Sequence, residues 1–270
     1  MVYLYSKPND TKGKYEMKLR VLGCSGGIGG NLRTTSFLLD RDILIDAGTG
    51  VGELSLTDLI AIDHIFVTHS HLDHIACIPF MADSVGFMRD RPLTVYAIEE
   101  TLDILKQHVF NWKVWPDFST IPNAQRPIMR YQPIKIGETI ALNGRRITAI
   151  PANHTVPAVG YHLDSGTASL VFSGDTTTND ALWQAVNRIE NLRYLIIETA
   201  FPDSEKDLAV LSKHLCPSLL GEELAKFKRE AEVFITHLKP GEVEPTMREI
   251  ENLAGGLRPV MLLNNQEFDF

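Results

Sequence analysis

The sequence predicts a layered α/β domain, and two patterns carry that prediction. Apolar runs of strand length outnumber helical patterns early in the chain and alternate with them later, and no linker, repeat or low-complexity tract divides the 270 residues. The chain therefore reads as one domain over 1–270, with 1–16 as an N-terminal extension. Strands are expected at 18–22, 36–39, 43–46, 64–68, 94–97, 146–150, 159–163, 169–172, 194–198 and 233–236, each a short stretch rich in Ile, Val, Leu, Phe, Tyr or Thr. Helices are expected at 49–58, 75–84, 99–109, 179–190, 217–229 and 242–254, several opening on Thr, Asn or Pro as start signals. The segment 111–130 is the exception. Pro116, Pro122 and Pro127 forbid long regular structure there, and Trp112, Trp115 and Phe118 sit close together. It is a candidate lid loop whose rings could stack on a substrate, or a satellite apolar cluster.

Composition bounds the function. With 44% hydrophobic and 22% charged residues the chain can bury a large core and is not a disordered type. No apolar run reaches the length of a membrane span, and residues 1–17 lack the charged-then-apolar order of a signal peptide, so the expected address is the cytosol, with no membrane partner. Cys24, Cys77 and Cys216 stand at unrelated spacings without a CxxC pair, which argues against a disulfide framework or a thiolate zinc site. A net charge of −8 without any basic block makes a long nucleic acid a poor electrostatic match.

The chemistry is concentrated after the strand 64–68. Thr68-His69-Ser70-His71-Leu72-Asp73-His74 places three imidazoles and a carboxylate within six residues. His69 and His71, two apart on extended backbone, point the same way and can grip one ion. Asp73 and His74 fall where a helical period begins, which turns them toward a second point. Further metal-type or acid/base residues follow other strands: His154 after 146–150, Asp175 after 169–172, Glu198 at the end of 194–198, and His237 after 233–236. Loops beyond one end of α/β strands gather into a shared crevice, so these distant residues can converge. His64, His108 and His162 lie outside the pattern and receive no role. Gly23–Gly30 fails the GxGxxG spacing, so it reads as a turn or a loop lining the site.

The set THSHLDH, His154, SGDT with Asp175, and ITHLKP with His237 resembles the metallo-β-lactamase superfamily of binuclear metal hydrolases. The resemblance spans roughly residues 18–240 and implies a four-layer αββα sandwich with the metals at one edge of two facing sheets. It implies that His69, His71 and His154 hold one divalent ion, that Asp73, His74 and His237 hold the other, and that Asp175 bridges them. Nitrogen and oxygen donors favour zinc, with manganese and iron also compatible. True β-lactamases usually lack a His at position 74 and carry a Cys where this chain has Asp175. Glu198 in IIETAFP and His214 in LSKHLCP are similar instead to ribonuclease Z and to the class II cyclic-nucleotide phosphodiesterases. The opening VLGCSGGIGGNLRTTSFLLDRDILIDAGTGV and the WPDF segment favour the phosphodiesterases, and the short stretch between Tyr131 and His154 leaves no room for a tRNA-gripping arm. Cys77 and Pro79 depart from that family's usual small and aliphatic residues.

The implied reaction is hydrolysis of a small 3′,5′-cyclic nucleotide, cAMP foremost, to the 5′-nucleotide. A hydroxide held between the ions and oriented by Asp73 would attack, and His214, held by Glu198, would protonate the departing oxygen. Thr35 and Ser36 are candidate phosphate contacts, and a homodimer is expected from the relatives' habit. An ester, lactone or thioester hydrolase and a non-catalytic metal-binding protein are the competing classes.

Overall fold

The computed structural model describes residues 16–253 and 257–270. The N-terminal extension, up to residue 15, and the last residue of the expected helix 242–254 lie outside them. Fourteen strands form two seven-stranded sheets among the described residues. The first contains β1 (Lys18–Gly23), β2 (Ser36–Leu39), β3 (Ile43–Ile45), β4 (His64–Phe66), β5 (Leu93–Ala97) and β6 (Met129–Pro133). The second contains β7 (Thr139–Leu142), β8 (Arg145–Pro151), β9 (Val159–Asp164), β10 (Ser169–Phe172), β11 (Leu192–Glu198), β12 (Glu232–Thr236) and β13 (Val260–Met261). β14 (Glu267–Asp269) returns to the first sheet beside β1. The orders are β14-β1-β2-β3-β4-β5-β6 and β13-β12-β11-β10-β9-β8-β7.

Alternation along the strands explains why there are two sheets and four layers. Phe37, Leu39, Ile43 and Ile45 of the first sheet share one buried cluster with Ile147, Leu170, Phe172 and Ile196 of the second. Their neighbours Leu38, Leu44 and Ile65 belong to a cluster under the helices of the first half, and Val171, Leu195 and Ile235 to one under the helices of the second. Successive residues thus face opposite sides, and each sheet is apolar on both. Across the middle layer Phe37 and Phe172 meet edge to face at 4.9 Å. The αββα sandwich expected from the resemblance is the observed fold.

Among the described residues eight α-helices cover the outer faces: α1 (Leu56–Ala61), α2 (Leu72–Ile75), α3 (Cys77–Val85), α4 (Glu99–Ile104), α5 (Asp180–Val186), α6 (Lys206–Ser212), α7 (Pro217–Leu224) and α8 (Val243–Glu251). The expected helix 49–58 is instead a 3₁₀ turn, Thr49–Glu53, followed by α1, because Ser55 and Asp58 form a capping box that starts a new helix. Helix α6 had no counterpart in the sequence reading. Four strands were also missed, β6, β7, β13 and β14, and these are the four edges of the two sheets. An edge strand is half solvated, so its sequence lacks a continuous apolar run. β6 reads MRYQP and ends on a proline that only an edge tolerates.

Candidate metal centre

The donors gather at the carboxyl ends of the strands, on the edge where the parallel strands of both sheets finish. After β4 the chain runs through His69 to an extended His71, and α2 then carries Asp73 in its first turn and His74 in its last. β8 delivers His154, β10 delivers Asp175 through Ser173 and Gly174, β11 ends at Glu198, and β12 delivers His237. The donor atoms of His69, His71 and His154 all lie within 4.8 Å of one another, and so do those of Asp73, His74, Asp175 and His237. A third set, His154, Asp175 and His214, meets the same criterion and joins the first two. Asp175 sits among the rings. Its Oδ2 is 3.3 Å from His74 Nε2 and 3.6 Å from His69 Nε2, and its Oδ1 is 3.3 Å from His237 Nδ1.

This donor set fits divalent cations. His69 Nε2, His74 Nε2, His237 Nδ1 and Asp175 Oδ1 are buried and have no hydrogen-bond partner. Each such orphan costs about 1–3 kcal/mol in a folded protein, and four together at one point are explained by cations that they would ligate. Burial lowers the pKa of His69 and His237 well below the ordinary imidazole value and that of His154 to about 4, which keeps these rings neutral and competent to ligate. His74 goes the other way: burial opposes its charge, but Asp175 and Asp46 hold its pKa well above the ordinary value. The carboxylates that stabilise a proton there would stabilise a cation in its place. Asp175 is held well below the ordinary carboxylate range: burial opposes its charge, but the surrounding imidazoles, with the direct contact of His74 among them, outweigh that penalty.

A second set of contacts fixes the rings. Asp46, which follows β3 with φ 57°, accepts from the Thr68 amide at 2.7 Å and the Thr68 hydroxyl at 2.8 Å, and pairs with His74 Nδ1 at 2.7 Å. Thr68 Oγ1 also lies 3.0 Å from His69 Nδ1. His154 Nδ1 is 3.1 Å from the carbonyl of Lys213, a residue held at φ 54°. Such partners set which ring nitrogen faces a metal. The sequence reading missed Asp46, although it ends an expected strand just as Glu198 does; that position was the available signal. His237 is positioned from behind by the Gly23–Gly30 loop. Its amide donates to the Cys24 carbonyl, and a Cβ on Gly26 would lie 2.4 Å from the His237 carbonyl oxygen, so that position needs glycine.

Glu198 and His214 form a buried pair. Glu198 Oε1 lies 2.8 Å from His214 Nδ1 and accepts from the Thr176 amide, while Oε2 accepts from the Leu215 amide. Burial opposes the charge on His214, but Glu198 outweighs it and raises the ring's pKa above the ordinary value.

Of the residues expected to touch substrate, Thr35 lies beside the donor run: a Cβ on Gly48 would stand 2.7 Å from the Thr35 carbonyl oxygen and 2.3 Å from that of Asp73. Thr35 and Ser36 are buried at 1% and 0% exposure, with Ser36 inside β2, and Thr35 Oγ1 has no hydrogen-bond partner among the described residues. Phe118 is a core residue under the first sheet, with its ring edge toward Phe110, and has no free face to stack on a base. Trp115 is partly buried against Phe80, and Trp112 is exposed. No helix among the described residues is long and apolar enough to cross a membrane.

Comparison with known proteins agrees with this geometry. A protein of Yersinia pestis described as a probable 3′,5′-cyclic-nucleotide phosphodiesterase is 26% identical over 81% of this chain and 77% of its own length. A ribonuclease Z of Haloarcula marismortui is 30% identical over 55% of this chain, a match that spans only 47% of that enzyme. Among solved structures, unliganded yeast PDE1 superposes with a TM-score of 0.78 at 20% identity, covering 93% of this chain and 98% of that one. The family described as Beta-lactamase superfamily domain matches residues 41–246. With that match over most of its length and the αββα sandwich that carries the donors, the chain belongs to the beta-lactamase superfamily, a family of hydrolases.

Proposed function

We propose that this protein is a binuclear metal-dependent phosphodiesterase that opens 3′,5′-cyclic nucleotides, cAMP among them, to 5′-nucleotides. The observation that carries this reading is the Glu198–His214 pair beside two groups of metal-type donors, because an alkoxide leaving group needs a proton that nitrophenolates or thiolates do not. His69, His71 and His154 would hold one ion, and Asp73, His74 and His237 the other, with Asp175 shared. Two divalent ions, zinc first and manganese or iron as alternatives, would supply charge neutralisation at the phosphate and lower the pKa of water.

The chain's own residues do the rest. Asp73 keeps its side chain 27% exposed at the rim of the donors, where it can accept a hydrogen bond from an attacking water and orient it. His214, whose pKa is raised by Glu198 against the penalty of burial, donates a proton to the departing 3′-oxygen. Glu198 supports the charged ring before the transfer and fixes its orientation throughout. This step is worth about 10²- to 10⁴-fold.

The ribonuclease Z relatives favour a second reading, cleavage of an RNA phosphodiester. The net charge of −8 weighs against it, as does the short β7–β8 hairpin that is the only element between β6 and His154. The deciding experiment incubates zinc- or manganese-loaded protein with cAMP and follows products, with Asp175→Ala as the blank. Release of 5′-AMP by the parent protein alone supports the proposal; cleavage of a tRNA precursor with cAMP left intact would replace it with the second reading.

A further inference from the structure

A cavity of about 640 Å³ opens directly beside His154. It lies where β5 and β6 of the first sheet and β8 of the second reach their carboxyl ends, so it continues the edge that carries the metal donors. Its walls include Ile98, Ile134, Ile136 and Val156, with Glu99 and Glu100 from the start of α4 and Lys135 after β6. Ligand cavities run from roughly 300 to 1,000 Å³ and combine apolar walls with a few polar groups, and this one fits that description. Glu99 lies 3.9 Å from Lys106, whereas no ion-pair partner is found for Glu100 among the described residues. Ammonium groups flank the donors on both sides: Lys213 donates to Asn153 Oδ1 at 3.3 Å and to the His154 carbonyl at 3.1 Å beside the cavity, and Lys239 lies 3.3 Å from His237 Nε2.

Resting on the phosphodiesterase reading, we infer that this cavity is the subsite for the uncharged body of the substrate, a nucleoside-like group that carries a single phosphate. The phosphate is drawn to the donors, and the body lies away from them, against the isoleucines and Val156. Glu100 accepts hydrogen bonds from hydroxyl or amino groups of that body. A further phosphate on the same side of the ligand would face the exposed carboxylates of Glu99 and Glu100, a like-charge contact that salt screens. The subsite therefore favours a mononucleotide over a ligand with a second phosphate on the side of Glu99 and Glu100.

The test measures binding by calorimetry on the zinc-loaded full chain, using inorganic phosphate, 5′-AMP and adenosine 3′,5′-bisphosphate as probes. Ile136 and Glu100 are both exposed, so Ile136→Glu and Glu100→Lys leave the core intact. The parent protein should bind 5′-AMP at least about tenfold tighter than phosphate. Ile136→Glu should erase that advantage without changing the affinity for phosphate, and Glu100→Lys should raise affinity for the bisphosphate several-fold relative to 5′-AMP. Equal affinities for phosphate and 5′-AMP in the parent protein, or ratios that neither substitution moves, would overturn the subsite. Hydrolysis of bis(4-nitrophenyl) phosphate by the parent protein is measured alongside. If that activity is present while the ratios stay fixed, only the subsite fails; if no phosphodiester is cleaved, the parent reading fails and the subsite falls with it.

Discussion

The two sheets repeat one plan, and two aspartates mark equivalent places in it. Each sheet runs through three antiparallel pairings and then three parallel ones, and the third of those pairings ends on β3 in the first sheet and β10 in the second. Asp46 follows β3 and Asp175 follows β10. Both are fully buried, yet their surroundings differ. Asp46 is consumed by the Thr68 amide, the Thr68 hydroxyl and His74, whereas Asp175 keeps an unpartnered oxygen and faces three imidazoles. The same residue type at the same position in the plan is a support in one half and a candidate ligand in the other. What separates them is which hydrogen-bond donors reach them first.

That contrast can be broken by experiment. Asp175→Ala should remove metal and reduce turnover to background, because the carboxylate between the two donor groups is lost; metal content and activity measured together check this. If Asp175→Ala kept both ions and activity, the division of roles would be wrong. His214→Ala should cost about 10²- to 10⁴-fold on a substrate with an alkoxide leaving group and much less on a nitrophenyl ester, while metal content stays unchanged. Equal losses on both would remove the proton-donor role. Asp46→Ala should weaken metal binding or activity by about 10- to 100-fold, the usual loss when a ligand's outer partner is removed. A loss as deep as that of Asp175→Ala would make the two aspartates equivalent after all.

The smallest effect concerns pH. The pKa of His214 is raised by Glu198, so the protonated donor persists above the ordinary imidazole value and is lost as pH rises through the raised one. The alkaline limb of the turnover profile should therefore lie above the usual histidine range. Glu198→Gln should move it toward lower pH, and an unmoved limb would assign it to another group.

Much of the fold was legible because the inner strands are buried on both faces and their sequences are apolar throughout, as in Phe37-Leu38-Leu39 and Leu195-Ile196-Ile197. The edge strands β6, β7, β13 and β14 were not legible, because their pairing comes from a neighbouring strand and their own residues are half solvated. At the site, the His69–His74 run stood out through local density alone. His154, Asp175, Glu198 and His237 could be named by their position after strands, and Asp46 carried the same positional signal without a motif to mark it. Nor could it show that Phe118 turns into the core while Trp112 stays outside.

From the sequence came the inventory: the donor types, the strand ends that present them, the net charge and the absence of a thiolate among the candidate ligands. Tertiary structure decided the assignments. It brought donors from both halves within 4.8 Å of one another, engaged every polar contact of Asp46 while leaving Asp175 Oδ1 without a partner, and buried Thr35, Ser36 and Phe118. The physical reason is that a carboxylate's role depends on which groups desolvate it and which donate to it, and those groups come from strands far away in the chain.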